Sequence, residues 1–375
     1  MSALFFYGTL RHLPLLETVV GHPLDGIALS EAGLPGYEIR WAKRQAFPLI
    51  LPKEGSSAIG LLAEGLSDED VARLDYYERV FGYDLIWVDL EQDGQMRRVQ
   101  MFWPPESSYE AGPAFILSDW AAIWGTTNCA AAKEVLLHRG QKTPEEVGAI
   151  YRMIHTRAAA QVLAQQETPV LGPSGRGLAD LEVLSESYPY ANFFALKEMQ
   201  LRYRRFDGSM SPVVDRAAFM GSDAALVLPY DPLRDRVLLI EQFRMGPLAR
   251  GDHGPWQLEP IAGRVDPGET PEACARREAV EEAGLDLKAL KEIHLGYPSP
   301  GCDSEFFHIY LGLADLPDEA TQIGGLASEQ EDIKTHLMPL DRALEMLDTG
   351  QIRVTPLALA LHWLARNRET LRRGA

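Results

Sequence analysis

The run Gly263–Leu285, GRVDPGETPEACARREAVEEAGL, decides how the second half of this 375-residue chain is read. Thr270 before Pro271 predicts a helix start, because a Thr side chain caps free N–H groups and Pro at the first helical position lacks only an N–H that has no partner there. Gly284 predicts the stop. Between them Glu278, Glu281 and Glu282 stand at i, i+3 and i+4, so three carboxylates share one helical face and repel one another. Two readings follow. The face is either solvated, with Arg276 and Arg277 as local partners, or it is a set of hard oxygen donors for a divalent cation and a phosphate-bearing substrate. Cys274, in the same helix, reads as a small packing residue.

Composition narrows the partners. A chain of 375 residues exceeds what one hydrophobic core serves, and a hydrophobic content of 46 % is enough for folded cores throughout, so two domains are expected. The net charge of −18 argues against nucleic acid and against an anionic membrane surface, since both are bound through Lys and Arg patches. A phosphate-bearing ligand must then be met locally, by metal and a few arginines. Cys129, Cys274 and Cys302 are too few and too scattered for a disulfide framework or a zinc site, which fits a reducing, cytoplasmic setting. No apolar run approaches the roughly 18 residues of a membrane span, and Met1–Leu10 lacks the pattern of an export signal.

Outward from the quoted run, Phe193–Arg205, Ala224–Leu228 and Val237–Gln242 read as strands, the last two joined by the turn Asp231–Asp235 in an antiparallel sheet. Downstream, Phe306–Leu311 and Ile333–Met338 read as strands and Leu340–Leu347 as a helix. Thr355–Asn367 reads as an amphipathic helix that ends in the basic tail Arg366–Arg373. TPVLGPSGRG at Thr168–Gly177 is the linker candidate. Ser118–Gln166 is helical, with starts at Ser118 and Thr143-Pro144 and a stop at Gly140, and covers a domain or braces two. His138 and His155 there are isolated and read as structural or solvated. At the N-terminus MSALFFYGTL predicts a buried strand running into a turn. Backbone N–H groups at Tyr7-Gly8-Thr9-Leu10 suit an anion, although a plain strand end reads the same. Ala58–Glu64 is a strand, Ser67–Tyr77 a helix capped by Ser67, and Tyr83–Leu90 with Arg97–Trp103 a hairpin about Asp93-Gly94.

The quoted run resembles the Nudix box without a mismatch: Gly263, Glu269, Arg277-Glu278, Ala279, Glu281-Glu282 and Gly284-Leu285 stand at its fixed positions. The resemblance implies a loop–helix–loop that binds Mg²⁺ or Mn²⁺ and hydrolyses a nucleoside diphosphate linked to a group X. In it Glu278, Glu281 and Glu282 are the metal ligands, Arg277 orients carboxylates and Glu269 supports the site. Around the box, over about residues 190–370, RYRRFDGSM with Arg216, VLLIEQFRMG, WQLEPIAG, GYPSPGCDSE and GLASEQEDI resemble the bacterial ADP-ribose pyrophosphatase branch. That likeness implies Arg244, Glu259 and Pro300 as substrate contacts and the Ala262 carbonyl as a further metal ligand. It also implies Glu329 as catalytic base with Glu331 as its understudy. Arg205 lies in strands that resemble those crossing to a partner subunit in a domain-swapped homodimer.

Residues 1–115 resemble the gamma-glutamylcyclotransferase-like (AIG2-like) family, carried by YGTL, a strand, LDYYE and the following Tyr83. This implies a small mixed β-barrel in which Tyr7, Gly8, Thr9 and Leu10 hold a substrate carboxylate and Glu78 is the general acid/base. Where the family usually has Gly, this chain has Arg79, a cation expected to lower the pKa of Glu78. The expected architecture is α+β followed by α/β: a barrel at 1–115, a helical connector with linker at 116–180, and a Nudix α/β/α sandwich at 181–375. The expected activity is metal-dependent hydrolysis of ADP-ribose to AMP and ribose 5-phosphate. Its rivals are another nucleoside diphosphate sugar or dinucleotide, and a sensor that binds ADP-ribose without turnover.

Overall fold

A computed structural model describes residues 2–106, 109–166, 172–320, 323–325 and 331–374, and the chain divides into two units, Met1–Arg216 and Ala217–Ala375. The first is built on a closed barrel of five strands: β1 (Ser2–Phe6), β2 (Ala28–Ala42), β3 (Pro48–Leu66), β4 (Asp84–Gln92) and β5 (Gln95–Trp103). Their order is β3-β1-β5-β4-β2, and the pairing of β2 with β3 closes the ring. β1 runs antiparallel to β3 and parallel to β5, so the barrel is mixed. Inward side chains, among them Phe5, Tyr7, Leu34, Leu62 and Met101, fill it. The sequence did not announce β2, whose LSEAGLPGYEIRWA carries Pro35 and Gly36 in mid-run. The strand absorbs them in a bulge between Pro35 and Tyr37, with Gly36 at φ 80°. A short strand β6 (Ala111–Ala114) pairs with β2 outside the ring.

Helices α1 (Leu13–Val20) and α2 (Asp68–Arg79) lie beside the barrel. α2 begins in a capping box: Ser67 Oγ accepts from Asp70 N–H at 3.1 Å, and Asp70 Oδ2 accepts from Ser67 N–H at 2.8 Å. The chain then forms α3 (Leu117–Trp120), α4 (Thr126–Leu137) and α5 (Pro144–Gln166). These helices pack on the barrel unit itself. Gly148 of α5 sits where a Cβ would overlap the Val80 carbonyl at the end of α2, and Phe81 stacks edge-on with Tyr77 and Tyr151. On the other side of α4 and α5, Glu134 and Arg157 form a buried ion pair. Against it lies Tyr188 of the hairpin β7 (Leu181–Ala191) and β8 (Ala195–Tyr203), its ring 5.6 Å from that of His138. The hairpin therefore belongs to the first unit by packing, and the division falls at Arg216 where the sequence predicts 181. β9 (Val214–Met220) pairs with β8 and carries the chain onward.

The second unit is a mixed sheet between two helical layers. Its strands are β10 (Asp223–Asp231), β11 (Arg236–Phe243), β12 (Trp256–Glu259), β13 (Ile261–Arg264), β14 (Ala289–Gly296), β15 (Phe306–Leu313), β16 (Ile323–Gly324) and β17 (Ile333–Pro339). The order is β14-β15-β10-β11-β17-β16, with β12 on β11 and β13 on β10. β10 and β11 form the predicted antiparallel pair, but β10 runs parallel to β15, so the sheet is not antiparallel throughout. One face is covered by α7 (Pro271–Ala283), whose Cys274, Ala275, Ala279 and Ala283 pack on Ala225, Val227 and Ile240. The other is covered by α8 (Leu340–Asp348) and α9 (Thr355–Arg373), with Leu357, Leu361 and Leu364 on Leu226, Leu228 and Leu239. A short helix α6 (Met245–Arg250) follows β11. α9 continues through the basic residues that the sequence reads as a tail, because they have work in the fold: Arg368 and Arg372 both reach Asp235, at 3.0 and 2.5 Å.

Candidate active site

α7 begins and ends as the sequence predicts: Thr270 Oγ1 accepts from Ala273 N–H at 3.2 Å, and Gly284 adopts φ 62°. The helix lies so close to β13 that a Cβ on Gly263 would overlap the Glu278 carboxylate. Arg277 is the hub. Its guanidinium donates to Glu269 at 3.0 and 2.9 Å, to Glu278 at 2.5 Å, to Glu281 at 3.0 Å and to the Arg264 carbonyl at 3.2 Å. Burial raises the pKa of Glu269, but the Arg277 pair outweighs it and holds the carboxyl below its ordinary value. Glu269 thus fixes Arg277, and Arg277 fixes two carboxylates of the triplet.

Glu282, the third, is only 2 % exposed and accepts from the Ala262 N–H at 3.2 Å. Burial, and then the charge of Glu278, push its pKa up to about 9. Glu278 is also raised, chiefly by burial, despite Arg277. Arg244, at the end of β11, forks onto Glu259 of β12, at 2.9 Å from Nε and 2.6 Å from Nη2. The guanidinium that the sequence assigns to a diphosphate therefore already has a carboxylate partner, while the charges of Glu282 and Glu331 act on it too. Glu331 thus lies within electrostatic reach of the triplet; Glu329 falls outside the described residues. Pro300 is exposed in the stretch between β14 and β15. The same stretch carries a residue the sequence analysis did not single out: Glu305, which burial and then Asp303 push up to about 7, with Arg264 and Arg244 pulling it down.

Among the described residues no three acidic, His or Cys side chains form a ready cage for a metal ion; Arg277 stands between Glu278 and Glu281 instead. The donor chemistry nevertheless fits a hard divalent cation. All the candidates are carboxylate oxygens, and burial raises the pKa of Glu278 and Glu282, so a cation placed among them favours their ionised forms.

In the first unit Glu78 closes α2 with its carboxyl withdrawn from water, although part of its side chain reaches the surface. Burial pushes its pKa up to about 8, the reverse of the lowering predicted from Arg79. Arg79 turns away, donating to Asp75 at 2.9 Å with Asp84 at 3.9 Å, and has no part in the shift. Beside Glu78 the Tyr7 hydroxyl donates to that of Tyr83 at 3.4 Å, and burial and the Glu78 charge raise both phenols, Tyr83 to about 12. From the buried Tyr7 the chain turns at Gly8 into a single 3₁₀ turn, Thr9–Arg11, that seats Leu10 in the core. Arg205, also in the first unit, is exposed.

Two family models match this chain: NUDIX domain over residues 220–358, and Gamma-glutamyl cyclotransferase, AIG2-like, over residues 4–122. Curated relatives include the ADP-ribose pyrophosphatase of Escherichia coli (strain K12), 39 % identical over 196 residues, which are 52 % of this chain and 93 % of the relative. The ADP-ribose pyrophosphatase of Haemophilus influenzae is 39 % identical over 190 residues, 50 % of this chain and 87 % of the relative. A GDP-mannose pyrophosphatase of Escherichia coli O139:H28 is 32 % identical over 173 residues, 46 % of this chain and 88 % of the relative. A solved structure titled as that of an ADP compounds hydrolase has a TM-score of 0.40 and 20 % identity, covering 51 % of this chain and 98 % of its own.

Proposed function

The chain belongs to the Nudix family in its ADP-ribose pyrophosphatase branch, and on that premise we propose that its second unit is a hydrolase that splits ADP-ribose and water into AMP and ribose 5-phosphate. The observation that carries the proposal is the arrangement on α7. Three carboxylates are gathered on one face, two are held by Arg277, and the third is buried, so that near neutral pH an added positive charge is needed to hold it ionised. Nudix hydrolases depend on a divalent cation. Glu278, Glu281, Glu282 and the Ala262 carbonyl would hold Mg²⁺ or Mn²⁺, which would supply positive charge at the diphosphate and make a water easier to deprotonate. Glu269 and Arg277 keep the ligands oriented. Arg244, backed by Glu259, binds a phosphate oxygen, and Pro300 stiffens the substrate-facing loop. Glu329, or Glu331 in its place, takes the proton of the attacking water as the new P–O bond forms and the bridging P–O–P bond breaks.

The hydrolase is taken as residues 181–375 acting as a homodimer, with Arg205 reaching the partner's site. In support, the β7–β8 hairpin exposes Val183, Leu184, Tyr190 and Phe194, a set of apolar side chains that a second copy covers well. No helix among the described residues is long and apolar enough to cross a membrane. The three cysteines are unpaired, which suits the cytoplasm.

A second activity is proposed for the first unit because Glu78 keeps its proton up to about pH 8 beside Tyr7 and Tyr83. A carboxyl near neutrality can take a proton from an attacking α-amine and return it to a leaving amine, releasing 5-oxoproline from a gamma-glutamyl amine. The YGTL backbone, Tyr7 to Leu10, then holds the substrate carboxylate.

The test is a panel of nucleoside diphosphates, GDP-mannose included, incubated with the full chain and Mg²⁺ and read by phosphate release after a phosphatase step. ADP-ribose is expected to lead, EDTA to silence the reaction, and Mg²⁺ or Mn²⁺ to restore it. Preference for another member by a wide margin replaces the substrate, and no turnover of any member overturns the hydrolase.

A further inference from the structure

The first unit carries two helices, α4 and α5, that lie past residue 122, where its likeness to the AIG2-like family stops, and α5 lies against the turn that carries Glu78. We infer that Tyr151 of α5 is a positioning residue for the Glu78 site: with Gly148 it holds the turn from Glu78 to Tyr83, and so sets where the carboxyl and the Tyr83 phenol stand. The inference rests on the cyclotransferase reading above and names a part of that site that no motif supplies.

The turn itself needs holding. The Glu78 carbonyl accepts from the Phe81 N–H at 3.0 Å and from the Tyr83 N–H at 3.2 Å, and Gly82 at φ 76° lies between them. This brings the Tyr83 hydroxyl back to that of Tyr7, at 3.4 Å. A turn closed by two hydrogen bonds and hinged on a glycine keeps one geometry only when side chains pack on it.

That packing comes from α5 and the segment leading into it. A Cβ on Gly148 would overlap the Val80 carbonyl, so the two backbones are in contact. The Phe81 ring meets those of Tyr77 and Tyr151 edge-on, with centroids 5.3 and 4.7 Å away. On the other side of Glu78 the Tyr76 hydroxyl donates to the Lys142 carbonyl at 3.0 Å. Tyr151 is itself fixed: its hydroxyl donates to Asn128 Oδ1 of α4 at 3.4 Å, and its ring stacks on His155 at 5.8 Å. These contacts fall at residues 76, 80 and 81, on both sides of Glu78, where they fix the turn as well as attach a helix.

Burial is the cause that lifts the Glu78 carboxyl to about 8, so a turn that gives way and admits water lowers it again. The groups around it are Tyr7 of β1, Tyr83 of the turn and Tyr77 of α2, with Tyr151 of α5 and Cys129 of α4 facing Tyr77, all uncharged at neutral pH. Arg79 points away to Asp75 and Asp84.

The experiment follows the protonated Glu78 carboxyl of the full chain by infrared spectroscopy across a pH series, as the difference from Glu78→Gln at each pH. In wild type the band is expected to disappear with a midpoint near 8. Tyr151→Ala is expected to lower that midpoint by about one pH unit, and Tyr151→Phe, which keeps the ring, to leave it in place. A residue that serves stability alone would lower the melting temperature in Tyr151→Ala and leave the midpoint where it was, and that result overturns the inference. So does an equal fall in Tyr151→Phe, which would assign the effect to the hydroxyl. Gly148→Ala, at the other contact, is expected to move the midpoint the same way, and it decides alone if Tyr151→Ala does not fold. A second arm reads 5-oxoproline released from gamma-glutamyl amines, whose pH midpoint is expected to fall together with that of the band in Tyr151→Ala; a midpoint of release that stays while the band moves overturns the inference. If wild type releases none, the cyclotransferase reading falls, whereas the infrared midpoint still decides whether α5 sets the state of Glu78.

Discussion

Glu282 and Glu78 are both carboxyl groups withdrawn from water, and their surroundings lead to different tests. For Glu282, Glu282→Gln should leave the melting temperature nearly unchanged, because the acid is neutral in the metal-free fold until about pH 9 and an amide fits the same space. Turnover of ADP-ribose should fall by more than about 100-fold, since a ligand charge is gone; a variant within about tenfold of wild type would remove Glu282 from the metal site. For Glu78 the folded pKa of about 8 lies above the ordinary value of an unfolded Glu, near 4.3, so the folded state binds the extra proton between these limits. Stability contributed there declines as pH rises from about 4 to about 8. Glu78→Gln should therefore gain melting temperature over wild type at pH 9 and not at pH 4. Any 5-oxoproline release should rise with pH to a midpoint near 8 as the base form appears, and vanish in the variant. Arg79 shows where reading neighbours along the chain misleads: adjacent residues on a helix point apart, and Arg79 finds Asp75 one turn back. Glu305 was missed for a related reason. Its sequence context, beside Asp303, looks like a solvated loop, and only the fold buries it against the end of β9, where Gly221 leaves room for no side chain.

At the level of elements, legibility followed the range of the determining contacts. α7 was readable to both ends and α2 at its start, because Ser67, Thr270 and Gly284 act on backbone groups within a turn of themselves, while α2 runs on to Arg79, past the predicted end at Tyr77. β2 was not, since Pro35-Gly36 breaks the alternation and only pairing with β3 makes a strand of it. The parallel match of β10 with β15 joins Asp223 to Phe306, a distance in sequence that no local pattern encodes. The placement of α5 is equally non-local, and it can be tested at one atom. Gly148→Ala puts a methyl group into the Val80 carbonyl, which must move, so the first unit should lose about 1–3 kcal/mol. Thermal unfolding followed by the aromatic signal of Phe81, Tyr77 and Tyr151 would register it, and an unchanged transition would mean that α5 does not rest on α2.

For the molecule as a whole, the hairpin β7–β8 is shared between two expectations. Its buried Tyr188 lies against His138, Glu134 and Arg157 of the α4–α5 pair, while its exposed apolar side chains suit a second copy. A fragment of residues 181–375 should still dimerise and hydrolyse ADP-ribose but melt below the intact chain, having lost that cover; light scattering that finds an active monomer would refute the dimer. The lock on Asp235 has a consequence in time. Asp235 turns the β10–β11 hairpin with a positive φ of 56° and is secured by Tyr230 at 2.8 Å together with Arg368 and Arg372, which lie more than a hundred residues later. The leucines of α9 also cover one face of the sheet. As the polypeptide leaves the ribosome, the barrel has every strand it needs long before α9 is made, whereas the Nudix sheet waits for that helix. A chain stalled before Thr355 therefore carries a finished first unit tethered to an unfinished second, with Leu226, Leu228 and Leu239 open to chaperones and proteases.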